Sequence, residues 1–310
     1  MKAMRIHHYG PARDMTLEDI ALPHYGPTDV LIRVAASGVN PIDWKIRSGA
    51  MAQAMHFPMP LLLGWECAGT IDAVGHLVTD FKPGDRVFTM PEFVRGGTYA
   101  EYVAVEVTQI ALMPRTVSFS VAATLPMTAQ AAWSAIEAAA LQPGQRVLIH
   151  GGAGGVGAIA IQLAKAMGAR VSTTVSSRDV DPTRSLGADQ VIDFTRVNFA
   201  EQVRDLDAVV DTIGGATQEA SWATLKPGGI LVTLSQPATA ERARAAGVRT
   251  TQVMTQPRGD VLKEIAARVD SGQLLPLACH SYPLSDAAWV HESGEAGRLA
   301  GRTALRVSPL

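Results

Sequence analysis

The sequence predicts an α/β protein in two parts, a β-rich unit and a unit in which strands and helices alternate. Up to about residue 115, short strand patterns are separated by glycine and proline turns, which is typical of a β-barrel or sandwich. From residue 146 onward, short apolar strands alternate with helical segments, which indicates a doubly wound parallel sheet with crossover helices. The chain then returns to a mixed pattern and ends in a strand, so we expect the β-rich unit to be discontinuous. The predicted boundaries are 1–117 with 274–310 for the β-rich unit and 118–273 for the α/β unit.

Length and composition indicate a globular protein of the size of an enzyme. The chain has 310 residues, of which 47% are hydrophobic and 18% charged, and its formal net charge is -2. This apolar share is enough for full-sized cores and excludes a disordered chain. The near-neutral charge provides no basic surface for nucleic acid. The only two cysteines, Cys67 and Cys279, exclude a disulfide framework and a four-thiolate zinc site.

No targeting or membrane-spanning segment is expected. The N-terminal residues lack the apolar core of a secretory signal. The most apolar long stretch, at 119–141, is interrupted by Pro126, Gln130 and Glu137, so we interpret it as a buried helix rather than a membrane span. We therefore expect a cytoplasmic or organelle-matrix enzyme, with cytoplasmic as the simpler expectation and no membrane partner.

The elements of the β-rich unit are predicted from strand patterns and the turns between them. We expect strands at 30–34, 69–74, 84–89 and 99–105. Turn sequences rich in glycine and proline separate them at 26–27, 82–85 and 96–97.

The α/β unit is predicted to open with an alanine-rich helix at 120–140. The turn Pro143-Gly144 then leads into a short buried strand at 146–150, a glycine loop and a helix at 155–167. Later strands are expected at 170–175, 189–193, 208–211 and 229–234, with a last one at 303–307 in the returning chain.

The glycine loop carries the most informative motif, Gly152-x-Gly154-x-x-Gly157. It lies between a predicted strand and a predicted helix, and in that context it predicts a dinucleotide site. Gly152 permits a tight turn, Gly154 lets the backbone approach a pyrophosphate, and Gly157 lets the helix pack closely on the strand. Free N–H groups at the helix start then face the anion. The predicted cofactor contacts of the loop are Gly152, Ala153, Gly154, Gly155, Val156 and Gly157. The alternative is a glycine-rich turn without a ligand.

The end of the second strand of this unit predicts which dinucleotide binds. An acidic residue there would bond the ribose 2′-hydroxyl and favour NAD. This chain instead has Ser176, Ser177 and Arg178, and two hydroxyls with a guanidinium suit a 2′-phosphate. We therefore predict NADPH as the cofactor. Asp179, one position later, argues against this interpretation, and an ordinary solvated charge is the alternative for Arg178.

Metal and nucleophile motifs are missing from the sequence. The eight histidines occur without HExxH spacing, no CxxC pair is present, and G-x-S-x-G does not occur. We therefore expect no metal. Ligands brought together only by the fold remain the alternative.

A series of segments in order along the chain matches one family pattern. They are GVNPIDWKIRSG at 38–49, LGWECAG at 63–69, FKPGDRV at 81–87, GTYAEYV at 97–103, ATLPMTA at 123–129 and AGGVG at 153–157. With these segments, nearly the whole chain resembles the medium-chain dehydrogenase/reductase superfamily, and within it the zinc-free quinone oxidoreductases of the zeta-crystallin type.

The resemblance implies an enzyme that works without zinc. Zinc alcohol dehydrogenases of this superfamily have a cysteine and a histidine where this chain has Asn40 and Trp65, and their four-cysteine lobe has no counterpart here. Without the Lewis acid, alcohol oxidation is not expected. Reduction of an electron-poor acceptor needs less activation and remains feasible.

The resemblance also implies a GroES-like β-barrel catalytic domain and a Rossmann domain, with the active site in the cleft between them. The nicotinamide is expected near the loop at Asn40 and near the segment 124–128, which makes Thr128 a candidate catalytic residue. Further cofactor contacts that the resemblance implies are Thr212, Ile213, Ser235, Val253 to Thr255, and Arg298.

Several positions depart from the family pattern or allow two roles. Phe194 stands where relatives often have a tyrosine that helps to hold the 2′-phosphate. Lys45 stands where some relatives have a tyrosine, and it is expected either to donate to a developing oxyanion or to face solvent. Asn40 is expected to donate to the acceptor carbonyl or to orient the ribose, and a turn-stabilising role is its alternative. Trp65 and Phe57 form either an apolar wall of the substrate pocket or part of the barrel core.

The expected function is hydride transfer from NADPH to a quinone-type acceptor without zinc. One alternative is an NADPH-dependent reductase of enone or alkenal double bonds, with the same hydride chemistry. Another is an NADPH-binding protein without catalysis. The expected partners are a small-molecule acceptor and a second copy of the chain, since relatives are often homodimers through the edge strand of the Rossmann sheet.

Overall fold

The first part of the chain forms short strands with two short helices. The computed structural model describes residues 1–308. The strands are β1 (Lys2–Ile6), β2 (Thr16–Asp19), β3 (Asp29–Val39), β4 (Leu61–Leu62), β5 (Cys67–Val74), β6 (Arg86–Thr89), β7 (Tyr102–Glu106) and β8 (Ile110–Leu112). The helices are α1 (Pro41–Arg47), which follows β3, and α2 (Phe119–Ala122), which follows β8.

Strand β3 is the central strand of the antiparallel sheet in this part. All of its residues except Arg33 are buried, and it is paired along both edges. It pairs with β5 on one side and with β7 along its first half on the other, and β5 continues to β6 and β8. Its side chains Val30, Ile32 and Val34 pack with Ile71 of β5 and other apolar residues in one core.

A parallel sheet and its helices make up the second part. The strands are β9 (Arg146–His150), β10 (Arg170–Val175), β11 (Gln190–Asp193), β12 (Leu206–Asp211), β13 (Leu225–Thr233) and β14 (Arg249–Gln252). The helices are α3 (Pro126–Ala139), α4 (Gly155–Ala166), α5 (Val180–Arg184), α6 (Phe199–Gln202), α7 (Gly215–Ser221) and α8 (Ala240–Ala246). All strand pairs are parallel and their order is β11-β10-β9-β12-β13-β14. The parallel sheet with crossover helices is thereby confirmed, and its order reverses between β9 and β12, where such sheets bind ligands.

The chain then re-enters the β-rich unit. The remaining elements are α9 (Gly259–Asp270), β15 (Cys279–Pro283), α10 (Ala287–Glu295) and β16 (Arg302–Arg306). Strand β16 pairs antiparallel with the second half of β3, the half that β7 leaves uncovered, and β15 pairs parallel with β16.

The two compact units differ from the predicted boundaries. Residues 1–127, 257–271 and 276–308 form one unit, and residues 128–256 and 272–275 form the other. Helix α9, which falls inside the predicted α/β range, packs on the β-rich unit instead. A side chain at Gly259 would collide with the carbonyl oxygens of Thr108 and Ile110, and Asp270 accepts the backbone N–H groups of Arg115 and Thr116, at 2.8 and 3.1 Å.

The alanine-rich helix predicted at 120–140 is two helices in the structure. Helix α2 ends at Ala122 and α3 begins at Pro126. Proline suits the first turn of a helix but disfavours the helical conformation in the residue before it, so the chain breaks there. No helix within residues 1–308 is both long and apolar enough to cross a membrane.

Candidate active site

The glycine loop connects β9 to α4 at the carboxyl edge of the parallel sheet. A Cβ at Gly157 would overlap the carbonyl oxygen of Gly151 and lie 2.9 Å from the Cα of Gly152, so only glycine fits where the helix crosses the loop. The predicted role of Gly157 in close packing agrees with this geometry. The turn itself is made by Gly151, whose φ of +70° is left-handed, and not by Gly152 as the motif suggests. Gly152 is small because Thr173 of β10 lies against it.

The first turn of α4 presents backbone N–H groups at the end of this loop. Gly154 is the N-cap, and the first intrahelical bond runs from the Ala158 N–H to the Gly154 carbonyl at 2.9 Å. The N–H groups of Gly155, Val156 and Gly157 precede that bond in the helix, so they are the ones that a helix start leaves for an external acceptor. A Cβ at Gly154 would meet only the Gly151 oxygen, at 3.3 Å. The loop and helix start therefore suit a pyrophosphate.

A buried histidine fixes the start of the glycine loop. His150 Nε2 lies 2.9 Å from Ser221 Oγ, which itself donates to the Thr217 carbonyl, so His150 carries its proton on Nε2. Its Nδ1 then accepts a hydrogen bond from Thr174 Oγ1 at 3.0 Å. The same Thr174 oxygen accepts the backbone N–H of Gly151, with 3.4 Å between nitrogen and oxygen. Burial lowers the pKa of His150 to about 4, which keeps the ring neutral. This role was not predicted from the sequence, although a histidine that ends a buried strand before a glycine loop is a usable signal.

The loop after β12 lies against the glycine loop. The buried Asp211 carboxylate accepts the N–H groups of Ile213 and Gly214, both at 2.9 Å. Thr212 Oγ1 donates to the His150 carbonyl at 2.8 Å, and Ser235 Oγ donates to the Ile213 carbonyl at 3.1 Å. The structure thus brings Thr212, Ile213 and Ser235 together beside the glycine loop, with half of the Ile213 side chain exposed.

The ends of β10 and β11 hold the residues predicted to bind a 2′-phosphate. Ser176 Oγ donates to Asp179, and Ser177 Oγ donates to Asp193. Arg178 is largely exposed, with its Nε 3.5 Å from an Asp179 oxygen. No acid ends β10 itself, but Asp193 ends the neighbouring strand and lies opposite Val175 in the register. Asp193 was not predicted from the sequence because neighbouring strands of the sheet are not adjacent along the chain.

The remaining predicted cofactor contacts lie in different units. The Val253 N–H donates to the Thr233 carbonyl at 2.9 Å, which holds the segment through Thr255 beside the end of β13. Both residues are half-buried, and Met254 between them is exposed. Arg298 belongs to the β-rich unit, where it follows α10 with an exposed side chain.

Asn40 lies in a buried polar cluster of the β-rich unit, at the start of α1. Its Nδ2 donates to Glu66 Oε1 at 2.6 Å, and its Oδ1 accepts from Arg302 Nη2 at 2.8 Å. Its backbone N–H donates to Asp43, also at 2.6 Å. The side chain is therefore held on both of its polar atoms, and its orientation is fixed by the fold.

Glu66 is the centre of this cluster. Its Oε1 also accepts from Arg302 at 3.0 Å, and its Oε2 accepts the N–H of Met127 at 2.8 Å, in the first turn of α3. Burial raises the pKa of Glu66, while the Arg302 guanidinium opposes the rise by favouring the carboxylate. Arg302 also donates to the Thr124 carbonyl at 3.3 Å. Glu66 and Arg302 thus join Asn40 to Thr124 and Met127, and neither residue was predicted from the sequence to belong to the site.

A second buried set of polar groups lies behind α1. Tyr99 Oη is 3.1 Å from Asp43 Oδ2 and 3.1 Å from His291 Nε2. Burial raises the pKa of Asp43 to about 8 and lowers that of His291 to about 3. Within residues 1–308, Asp43 Oδ1 and His291 Nδ1 are buried without a hydrogen-bond partner.

Family models match two parts of the chain. Residues 26–115 match the alcohol dehydrogenase GroES-like domain, and residues 186–305 match the zinc-binding dehydrogenase domain. A 2-methylene-furan-3-one reductase of Solanum lycopersicum is 33% identical over 320 aligned positions, which cover all of this chain and 80% of the relative. The chain belongs to the medium-chain dehydrogenase/reductase superfamily.

Further members of the superfamily are similar along the whole fold or most of it. The NADPH-dependent alkenal/one oxidoreductase of Arabidopsis thaliana chloroplasts is 34% identical over 286 residues, covering 89% of this chain and 71% of the relative. The solved quinone oxidoreductase of Coxiella burnetii is 32% identical, with a TM-score of 0.90 and 99% of both chains covered. The predicted class, a GroES-like domain with a Rossmann domain, is confirmed.

The other three candidate catalytic residues, Trp65, Lys45 and Thr128, differ in burial and in their contacts. Trp65 is fully buried, its Nε1 donates to the Phe93 carbonyl at 3.1 Å, and its ring packs between Phe57 and Phe93. It belongs to the barrel core and has no exposed surface for a substrate. Lys45 is exposed on α1, so its side chain faces solvent, which was one of the two roles expected for it. Thr128 is buried in the first turn of α3, directly after Met127.

The sequence resemblance implies that Asn40 and Trp65 stand where zinc alcohol dehydrogenases have two ligands, and the partners of both side chains are described above. Residues 1–308 contain no group of three or more His, Cys, Asp or Glu side chains arranged to hold a metal ion. Cys67 is buried in β5 and Cys279 is partly buried in β15, and both are free thiols.

Proposed function

We propose that this chain is an NADPH-dependent reductase of quinones that works without zinc. At the coarser level it is an NAD(P)H-dependent oxidoreductase of the medium-chain superfamily. The proposal rests on the hydrogen bonds of the Asn40 side chain. At a zinc-ligand position of the alcohol dehydrogenases, this chain has an amide that Glu66 and Arg302 hold on both polar atoms.

The residues at the carboxyl edge of the parallel sheet fit NADPH. The absence of a side chain at Gly154 and the first turn of α4 suit its pyrophosphate. Ser176, Ser177 and Arg178 would hold the 2′-phosphate, since hydroxyls and a guanidinium form strong bonds to phosphate oxygens. The solved quinone oxidoreductase of Escherichia coli, 25% identical with a TM-score of 0.87, is described as a complex with NADPH.

The protein's part of the reaction is binding and positioning. When bound, NADPH supplies the hydride. Neutral His150 holds the Gly151 turn, and Asp211 holds the loop at Ile213, so both walls of the cofactor site are rigid before binding. Transfer of one hydride and uptake of one proton from water convert the quinone to its hydroquinone.

A quinone suits this site better than an alcohol or an unactivated carbonyl. Alcohol oxidation in the superfamily uses a Lewis acid to ionise the hydroxyl, and Asn40 and Trp65 cannot replace two zinc ligands. A quinone is already electron-poor, and its reduction forms an aromatic ring, so it requires little stabilisation of an oxyanion.

An enone or alkenal is the second candidate acceptor. It is favoured by the names of the tomato and Arabidopsis relatives, which describe a methylene-furanone reductase and an alkenal/one oxidoreductase. The hydride would go to the β-carbon, and the α-carbon would take the proton from water.

The decisive experiment measures NADPH oxidation by the purified protein with a benzoquinone, a naphthoquinone, an alkenal and a cyclic enone. NADH runs in parallel, and an alcohol with NADP⁺ tests the reverse direction. We expect turnover with the quinones and none with the alcohol. Turnover with the enone or alkenal alone would replace the first candidate with the second. Tight NADPH binding without any turnover would leave a cofactor-binding protein without catalysis.

A further inference from the structure

Two carboxylates and two guanidiniums lie where β10 and β11 end. Asp193, the last residue of β11, lies 3.3 Å from Arg196 Nε. Asp179 lies 3.5 Å from Arg178 Nε. The two arginines are each 77% exposed, whereas Asp193 is only 15% exposed. The formal charges of these four side chains sum to zero.

Asp193 already engages the polar groups that a phosphate would need. Ser177 Oγ donates to Asp193 Oδ2, and Thr195 donates to Oδ1 from its N–H at 3.0 Å and its hydroxyl at 2.6 Å. These bonds favour the ionised form, and the Ser177 hydrogen bond is the largest of the causes that lower the pKa of Asp193. Asp193 is therefore a carboxylate at neutral pH. It accepts the hydroxyl of Ser177, which is one of the residues predicted to contact the 2′-phosphate.

We propose that Asp193 is a specificity-determining residue that limits the preference of this enzyme for NADPH over NADH. The inference rests on the proposed function, because it concerns the cofactor assigned there. A 2′-phosphate carries about -1.5 to -2 charge at pH 7, by analogy with phosphorylated side chains. To bind it, the Ser177 hydroxyl must exchange the Asp193 carboxylate for the phosphate, and the two anions then lie close together.

NADH avoids this penalty. Its 2′-hydroxyl carries no charge, and a carboxylate near the ribose accepts a hydrogen bond from such a hydroxyl in NAD-binding proteins. Asp193 thus weakens NADPH binding and leaves NADH binding unchanged or slightly stronger. Both effects shift the ratio of the two dissociation constants in the same direction.

The test is the Asp193→Asn variant with calorimetric binding of NADPH, NADH, 2′,5′-ADP and 5′-AMP. Asparagine keeps the shape and the Oδ1 acceptor for Thr195 but removes the charge. We expect NADPH and 2′,5′-ADP to bind about tenfold more tightly, the size of one charge-assisted contact, and NADH and 5′-AMP to bind no more tightly. If this variant fails to fold, Asp193→Ser removes the same charge with a smaller side chain.

A matched control removes one charge elsewhere in the same unit. Glu219 is an exposed carboxylate on α7 that pairs with Arg242, so Glu219→Gln should leave the NADPH-to-NADH ratio at its wild-type value. An unchanged ratio in a folded Asp193 variant would overturn the inference, and so would equal tightening of NADPH and NADH. A wild-type protein that binds neither NADPH nor 2′,5′-ADP would overturn the proposed cofactor and the inference together, which separates the two failures.

Discussion

Substitution of Gly157 by alanine and substitution of Gly154 by alanine should affect different properties of the protein. A Cβ at Gly157 would overlap the Gly151 carbonyl oxygen and crowd the Gly152 Cα at 2.9 Å. Both neighbours are backbone atoms, so neither can rotate away. A Cβ at Gly154 meets only one oxygen at 3.3 Å, and the φ of -77° suits any residue. The first substitution should therefore destabilise the fold, and the second should act only on the cofactor.

The magnitudes follow from the kinds of contact. Overpacking costs about 1–3 kcal/mol, and a backbone neighbour places Gly157→Ala at the upper end. Alanine regains about 1 kcal/mol over glycine inside a helix, which leaves a net loss of about 2 kcal/mol. Gly154→Ala changes only an N-cap, at a cost below about 1 kcal/mol. Its methyl group stands where the pyrophosphate approaches, and loss of a hydrogen bond to a charged group costs about 1.5–3 kcal/mol of binding free energy.

Chemical denaturation and cofactor titration measure the two effects separately. Gly157→Ala should lower the free energy of unfolding, and Gly154→Ala should unfold close to the wild type while binding NADPH and NADH about 10- to 100-fold more weakly. The pyrophosphate is common to both cofactors, so the two losses should be equal. A Gly157→Ala protein of wild-type stability, or a Gly154→Ala protein of wild-type affinity, would refute this account of the loop.

Four further outcomes are expected. Glu66→Gln leaves Arg302 without its buried carboxylate and should cost about 3–5 kcal/mol of stability, so an unchanged urea midpoint would contradict the cluster's role. Arg178→Ala should weaken NADPH binding by about 1–3 kcal/mol and leave NADH nearly unchanged, whereas equal losses would mean that the guanidinium does not meet the 2′-phosphate. His150 has a folded-state pKa of about 4 against its ordinary 6.5, so the unfolded chain takes up the extra proton first. Its contribution to stability is complete above pH 6.5 and declines as the pH falls towards 4. His150→Gln should remove this part of the pH dependence of unfolding, and an identical slope in the variant would count against it. Strand β14 is an edge strand of the parallel sheet, and pairing of two such edges would form a dimer. Light scattering should then give the mass of two chains, and a monomeric mass at working concentration would exclude that assembly.

Local patterns explain what the sequence could predict. The bounds expected for the strands at 146–150 and 170–175 are those of β9 and β10, because short apolar runs beside a glycine loop form buried parallel strands. The glycine spacing likewise predicted the close packing of helix on loop at Gly157, since the contacts of Gly157 lie within seven residues along the chain. Strand β14 was missed because its sequence, Arg-Thr-Thr-Gln, has no apolar residue and lies at the sheet edge.

The remaining parts of the site depend on distant residues. Glu66 and Arg302 are 236 positions apart, and the pairing of β3 with β5 on one edge and with β16 on the other brings them to Asn40. Asp193 reaches Ser177 through the register of two neighbouring strands. The exposure of Lys45 depends on which face of a two-turn helix is covered, and the sequence of α1 does not determine that.

The position of Arg302 in the chain affects the order in which the protein can assemble during synthesis. The parallel sheet uses residues 146–252, a continuous segment, so it can close while later residues are still in the ribosome. The second half of β3 has an open edge until β16 is made, and until then Glu66 lacks its cation. A ribosome that stalls before residue 302 therefore releases a chain that has a closed parallel sheet but also an exposed apolar strand, and such a product is prone to pair with other chains.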